Sequence, residues 1–121
     1  MNLSFHALYV KCTNALDWEI QQVSFDTIND HTVESVESRE SPCVMIGQNF
    51  EFPGPATIEW HDGKDYDGGA TIRSAFLEST KVQFFLDKSR TITITFEIRA
   101  RQFQELAKYL KNILGTRLKL K

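Results

Sequence analysis

The chain has 121 residues, of which 41% are hydrophobic, 25% charged and 12% aromatic; that suits one domain with a real core, and it excludes wholesale disorder or a second domain of any size. The net charge of −2 and a pI near 5.9 argue against nucleic acid as the main partner. No run approaches the roughly 18–20 apolar residues that span a bilayer, and Met1 to His6 has neither the basic start nor the apolar stretch of a secretory signal, so the expectation is a cytoplasmic protein with no membrane contact.

In chain order, Leu3–Cys12 (LSFHALYVKC) reads as a first strand, with Phe5, Ala7 and Tyr9 on one face and Leu8 and Val10 on the other. Thr13-Asn14 suggests a turn. Trp18–Asp26 reads as a second strand whose phase slips at Gln21-Gln22, from a Trp18/Ile20 face to a Val23/Phe25 face, which points to a bulge. Thr27–Pro42 is rich in Ser, Thr, Asp and Glu and reads as a surface loop or, more sharply, as an acidic arm for a basic partner. Cys43–Ile46 is a short apolar strand, kinked by Gly47-Gln48-Asn49 into Asn49–Phe52, and Pro53-Gly54-Pro55 ends it.

Thr57–Gly69 (TIEWHDGKDYDGG) starts as an alternating strand, with Ile58 and Trp60 on one side and Thr57, Glu59 and His61 on the other. It ends in paired glycines that allow a tight turn or a bulge. Three strands joined by short polar turns follow: Thr71–Leu77, Lys81–Leu86 and Thr91–Ile98. In the last, Ile92, Ile94, Phe96 and Ile98 alternate with Thr91, Thr93, Thr95 and Glu97, the pattern of a half-buried antiparallel meander. Ala100–Leu114 is a helix with Phe103, Leu106, Ala107, Leu110, Ile113 and Leu114 along one stripe and Gly115 at the left-handed C-cap position. The basic tail Thr116–Lys121 is either frayed or a short edge strand. The fold expected is α+β in a single domain, 1–121: an antiparallel meander of about six strands covered on one face by the C-terminal helix.

Charge divides unevenly along the chain. From Met1 to Ala70 three bases face twelve acids, and from Thr71 onward eleven bases face Glu78, Asp87, Glu97 and Glu105. Such a division hints at a charged partner unless the halves interleave in space and neutralise each other.

Motifs for chemistry are weak. His6, His31 and His61 are isolated, Cys12 and Cys43 form no C-x-x-C pair, and the acids of DGKDYDGG lack the spacing of a calcium loop, so no metal is expected. The two cysteines are too few for a disulfide scaffold and read as reduced, buried thiols. There is no G-x-S-x-G elbow, and Gly68-Gly69 leads into a strand instead of a helix, which argues against a phosphate-binding loop. Bases of the second half (Arg73, Lys81, Lys88, Arg90, Arg99 and Arg101) show no evident interleaving with exposed aromatics. The expectation is a binding protein with no enzyme activity and no cofactor.

Glu59 and Asp62 at a strand end, the Tyr66, Gly68 and Gly69 that follow, Phe76-Leu77, the hairpin Val82–Leu86 with Thr91–Ile98, and the helix Phe103–Leu114 come in an order similar to that of bacterial polymorphic-toxin immunity proteins. The chain most resembles their tenth family over about its last two-thirds, with Asp67 inserted between Tyr66 and Gly68. The resemblance implies a cytoplasmic protein that binds and silences a cognate toxin without chemistry of its own. A nuclease or another effector with a basic cleft would suit an acidic inhibitor, because complementary charge speeds association and selects the partner. The docking surface expected on this reading is Glu59, Asp62, Asp65, Tyr66 and Asp67, aided by Asp30, Glu34 and Glu37 of the acidic arm, with Tyr66 as its anchor. Two other readings are a small acidic adaptor or secretion chaperone, which would pair a peptide at a sheet edge, and nucleic-acid binding through the basic half, with steep salt dependence.

Overall fold

The computed structural model describes residues 2–17, 19–27, 41–50 and 55–120. They form strands β1 (Asn2–Ala7), β2 (Tyr9–Ala15), β3 (Ile20–Asp26), β4 (Cys43–Asn49), β5 (Thr57–His61), β6 (Tyr66–Ala70), β7 (Ile72–Glu78), β8 (Lys81–Leu86) and β9 (Thr91–Phe96), then helix α1 (Ala100–Leu114) and strand β10 (Leu118–Leu120). Sheet I has the order β1-β9-β8-β7-β10, and sheet II has the order β2-β3-β4-β5-β6. The class is α+β as expected, but the single meander of about six strands is replaced by two five-stranded sheets packed face to face.

The chain changes sheet twice, and both corners have a local cause. In β1 the core side is Leu3, Phe5 and Ala7, whereas in β2 it is Val10 and Cys12. That one-residue phase shift falls at Leu8, which is 66% exposed while its N–H donates to the Asp26 carbonyl at 2.9 Å. One long strand over Leu3–Cys12 is therefore corrected to two strands in different sheets. The second corner is Thr71, between β6 and β7. Just before it, Ile58 pairs with Ala70 and Glu59 with Gly68, so Gly69 is the extra residue of a bulge, at φ +78°. A glycine tolerates that backbone at little cost, and the bulge adds the twist that turns the chain toward sheet I.

Within sheet I the meander β7–β8–β9 forms as the alternation predicts. Two strands that pair in parallel flank it: β1 alongside β9 and β10 alongside β7. The basic tail is thus an edge strand. The meander's apolar side packs on sheet II. At the seam, the buried Phe25 ring of β3 lies 6.2 Å from Phe84, edge-on, and 6.2 Å from Phe96, stacked.

Helix α1 spans the residues its apolar stripe predicts and buries Leu106, Tyr109, Leu110, Ile113 and Leu114. It packs against β2, β3 and β10, so it closes the space beside the two sheets instead of covering the meander as expected. Asn14 donates to the Tyr109 hydroxyl at 2.9 Å, and Asn112 donates to the Gln21 carbonyl oxygen at 3.2 Å. The second bond explains the apparent phase slip in β3. Gln21, only 6% exposed, lies on the same side as Val23 and Phe25, and a helix side chain hydrogen-bonds its polar end. The bulge expected there is absent, since β3 pairs with β2 and β4 without interruption. The kink expected at Gly47 is absent too, because β4 runs straight through it. Most of the Thr27–Pro42 segment lies outside the described residues; at its base, the Thr27 hydroxyl donates to the Pro42 carbonyl at 2.9 Å.

Candidate partner-binding site

The division of charge along the chain survives folding. Sheet II and its loops carry Asp17, Glu19, Asp26, Glu59, Asp62, Asp65 and Asp67 against Lys11 and Lys64 among the described residues. Sheet I takes its strands from β1 and from the basic half. Apart from β1, the strands of the two halves lie in separate sheets, although helix α1 of the basic half packs on β2 and β3. A cross-sheet ion pair joins them at the rim, where the Arg90 guanidinium lies 4.0 Å from Asp67.

The β5–β6 hairpin forms the edge of sheet II and carries the five hairpin residues expected to dock a partner. Its turn is built by Asp62. The Asp62 carboxylate accepts the backbone N–H groups of Lys64 and Asp65, both at 2.8 Å, and its own N–H donates to the Asp65 carbonyl at 3.1 Å. Those bonds, from Asp65 first, hold its carboxyl below the usual range. Asp62 is exposed, yet its carboxylate is largely committed to the turn.

Past the turn, Tyr66 pairs with His61 and Gly68 with Glu59 on the solvent side of sheet II. Tyr66 is 65% exposed, and its phenol pKa is raised because the hydroxyl donates to the Glu59 carboxylate. Asp67 pairs with the buried Trp60, so strand alternation sends it to the other side of the hairpin. There it faces Arg90, which also bonds Asp87 at 2.5 Å and lies 5.4 Å over the Trp60 ring.

The structure therefore gathers Glu59, Asp62, Asp65 and Tyr66 on one exposed corner and places Asp67 on the opposite side, beside a base. Asp30, Glu34 and Glu37 lie outside the described residues.

A row on the outer side of sheet II was not legible in the sequence. Tyr9, Asp26, Cys43, His61 and Tyr66 stand side by side on five successive strands. A Cys, a His and an Asp in line suggest nucleophilic catalysis, but the local chemistry opposes it. Asp26 stands next to Cys43 instead of behind His61, and burial first, then that negative charge, push the thiol pKa up. The His61 Nδ1 accepts the Gly63 N–H at 3.0 Å, so the lone pair a base would use is spent on the turn. Cys12, on the core side, is pushed up to about 12 by burial and then by Glu105. Both thiols are free and only partly buried, where full burial was expected. Among the described residues no three His, Cys, Asp or Glu side chains come together as a metal-binding group, and no helix is long and apolar enough to cross a membrane. Comparison of the chain with protein-family models, with curated proteins and with solved structures returns no match.

Proposed function

We propose that the protein is an immunity protein, which binds a cognate toxin through the acidic corner of sheet II and has no catalytic role of its own. The observation that supports this reading is Tyr66. A tyrosine 65% exposed at a sheet edge, beside Glu59 and one residue from the turn that carries Asp62 and Asp65, offers an aromatic anchor among acids. A basic cleft in a toxin would meet complementary charge there, and the phenol would fill the cleft's apolar part. The turn that Asp62 organises keeps the corner rigid, which lowers the entropy lost on docking.

The adaptor reading requires a peptide strand added to an open sheet edge. Strand β6 is such an edge, but it is five residues long and bulged at Gly69, and both features blunt strand addition. The corner is therefore favoured over the edge.

The test is co-expression with whatever secreted toxin the neighbouring genes encode, read as growth rescue. Wild type should protect, and the double variant Asp65→Lys/Tyr66→Ala should not, although its unfolding midpoint stays at the wild-type value. Full protection by the double variant would reject the corner as the docking surface. Failure of the wild type to protect would reject the immunity reading itself.

A further inference from the structure

The outer side of sheet I is the other large surface of the molecule, and no described element lies over it. The helix packs toward β2, β3 and β10, and the apolar side of β7–β9 faces Phe25 and the core. What remains outside is a flat polar field. Thr91, Thr93 and Thr95 of β9 line up with Phe85, Gln83 and Lys81 of β8, and next to these stand Ser74, Phe76 and Glu78 of β7. The field is ordered: Gln83 donates to the Thr93 hydroxyl at 3.2 Å, and His6 and the Thr95 hydroxyl are 2.8 Å apart.

Two half-buried aromatics stand at its centre. Phe76 and Phe85 meet edge to face with their ring centroids 5.6 Å apart. A depression lies on each side of Phe85. One, of about 390 Å³, is lined by Arg73, Ser74, Ser89, Arg90 and Thr91. The other, of about 160 Å³, is lined by Phe76, Glu78, Lys81 and Gln83. The rim is basic. Arg73 and Lys119 are exposed, and Lys119 pairs with Phe76 across the β10–β7 edge. Lys81 bonds Glu78 at 3.2 Å, and Arg90 is held by Asp87, so the uncommitted charge is mainly that of Arg73 and Lys119.

We infer that this outer side of sheet I binds a short stretch of single-stranded nucleic acid, one or two bases stacking at Phe85 and Phe76 while Arg73, Lys119 and Lys81 take the phosphates. Four features favour this occupant over an acidic protein segment. Aromatic rings on adjacent central strands offer π-surface, which a base uses and a carboxylate does not. Depressions on both sides of one ring match successive bases along a strand. The threonine, serine and glutamine groups supply donors and acceptors suited to base edges and sugar hydroxyls. The bases are dispersed around the rings instead of gathered at one point, as a tracked backbone requires. The surface is independent of the acidic corner, so it stands or falls apart from the immunity reading.

The test is fluorescence anisotropy with labelled oligothymidylate and oligouridylate of about ten nucleotides, with polyglutamate as competitor. Binding with a Kd of about 100 μM or tighter at low salt is expected. The logarithm of the association constant should fall with the logarithm of salt at a slope of about −2, as three phosphate contacts on a single strand give. Arg73→Glu/Lys119→Glu should reduce that slope to about −0.7, and Phe85→Ser should weaken binding about tenfold. No binding, displacement by polyglutamate at equal charge, or affinity unchanged in the double reversal would each overturn the inference. Both reversed residues are exposed, so that arm reads out even if Phe85→Ser fails to fold.

Discussion

The two sheets share one core but differ in how their outer surfaces treat charge. On sheet II, acids crowd the β5–β6 corner around a single base of the turn, Lys64, while Arg90 reaches Asp67 on the far side of the hairpin. On sheet I, bases stand on the β7–β10 side and at the strand ends of a field of hydroxyls around two phenylalanines, with Glu78 within it. This separation follows from topology. Because the chain finishes sheet II before it enters β7, the acidic strands of the first half and the basic strands of the second lie in different sheets, and the halves meet only at the rim and along helix α1. A linear division of charge becomes a molecule with two dissimilar sides, suited to partners of different charge.

The most damaging break in this arrangement is at the seam. Phe25→Ala would remove the ring that touches both Phe84 and Phe96 and leave a cavity between the sheets. A loss of about 3–5 kcal/mol in chemical denaturation is expected. Both sheets should unfold in one transition, since neither keeps a covered core alone. Two separate transitions would show that the sheets are independent units.

A smaller loss is expected at the corner where the chain leaves sheet II. Gly69→Ala meets nothing within 4 Å, so any cost is backbone strain at φ +78°. About 1–2 kcal/mol is expected, with Gly69→Asn milder because asparagine tolerates the left-handed region. Equal midpoints for alanine and wild type would mean that the bulge relaxes without cost.

These contrasts show why part of the fold was legible in the sequence and part was not. The β9 alternation and the stripe of α1 are local patterns, each matched to a single surface, so the meander and the helix follow from periodicity. The second sheet was hidden because its clue is a one-residue slip at Leu8, easily read as a strand covered on both sides. At Gln21 a polar residue on the core side imitates a slip, and its hydrogen-bonding partner, Asn112, is 91 positions away. The candidate site divides in the same way. Glu59, Asp62, Asp65 and Tyr66 lie close together because they lie close in the chain, while Asp67 departs because strands alternate. The Phe76–Phe85 pair on sheet I went unseen because outward-facing aromatics resemble core residues until register is known.

The folded-state pKa of Asp62 is depressed, so its contribution to stability is present above the unfolded carboxyl value and is lost as pH falls through the folded one. Asp62→Asn should therefore be less stable than wild type near neutrality, and the two midpoints should converge in acid. A gap that stays constant down to strongly acid pH would mean that the charge on Asp62 contributes nothing to the turn.

The smallest expected effect tests the anchor directly. The Tyr66 phenol donates to Glu59, so its pKa is raised above the ordinary value of about 10. For a group raised in this way, the stabilisation is present below the unfolded pKa and fades as pH rises through the folded one. Glu59→Gln removes the negative charge but keeps an acceptor oxygen, so the Tyr66 pKa should shift back toward the ordinary value, with little change in the unfolding midpoint at neutral pH. Ultraviolet absorbance of the phenolate would follow this, with Tyr66→Phe identifying which of the three tyrosines is being read. If Glu59→Gln leaves the Tyr66 titration where it was, the tyrosine is not held by Glu59 in solution. The acidic corner would then be a loose set of charges instead of a preformed docking point.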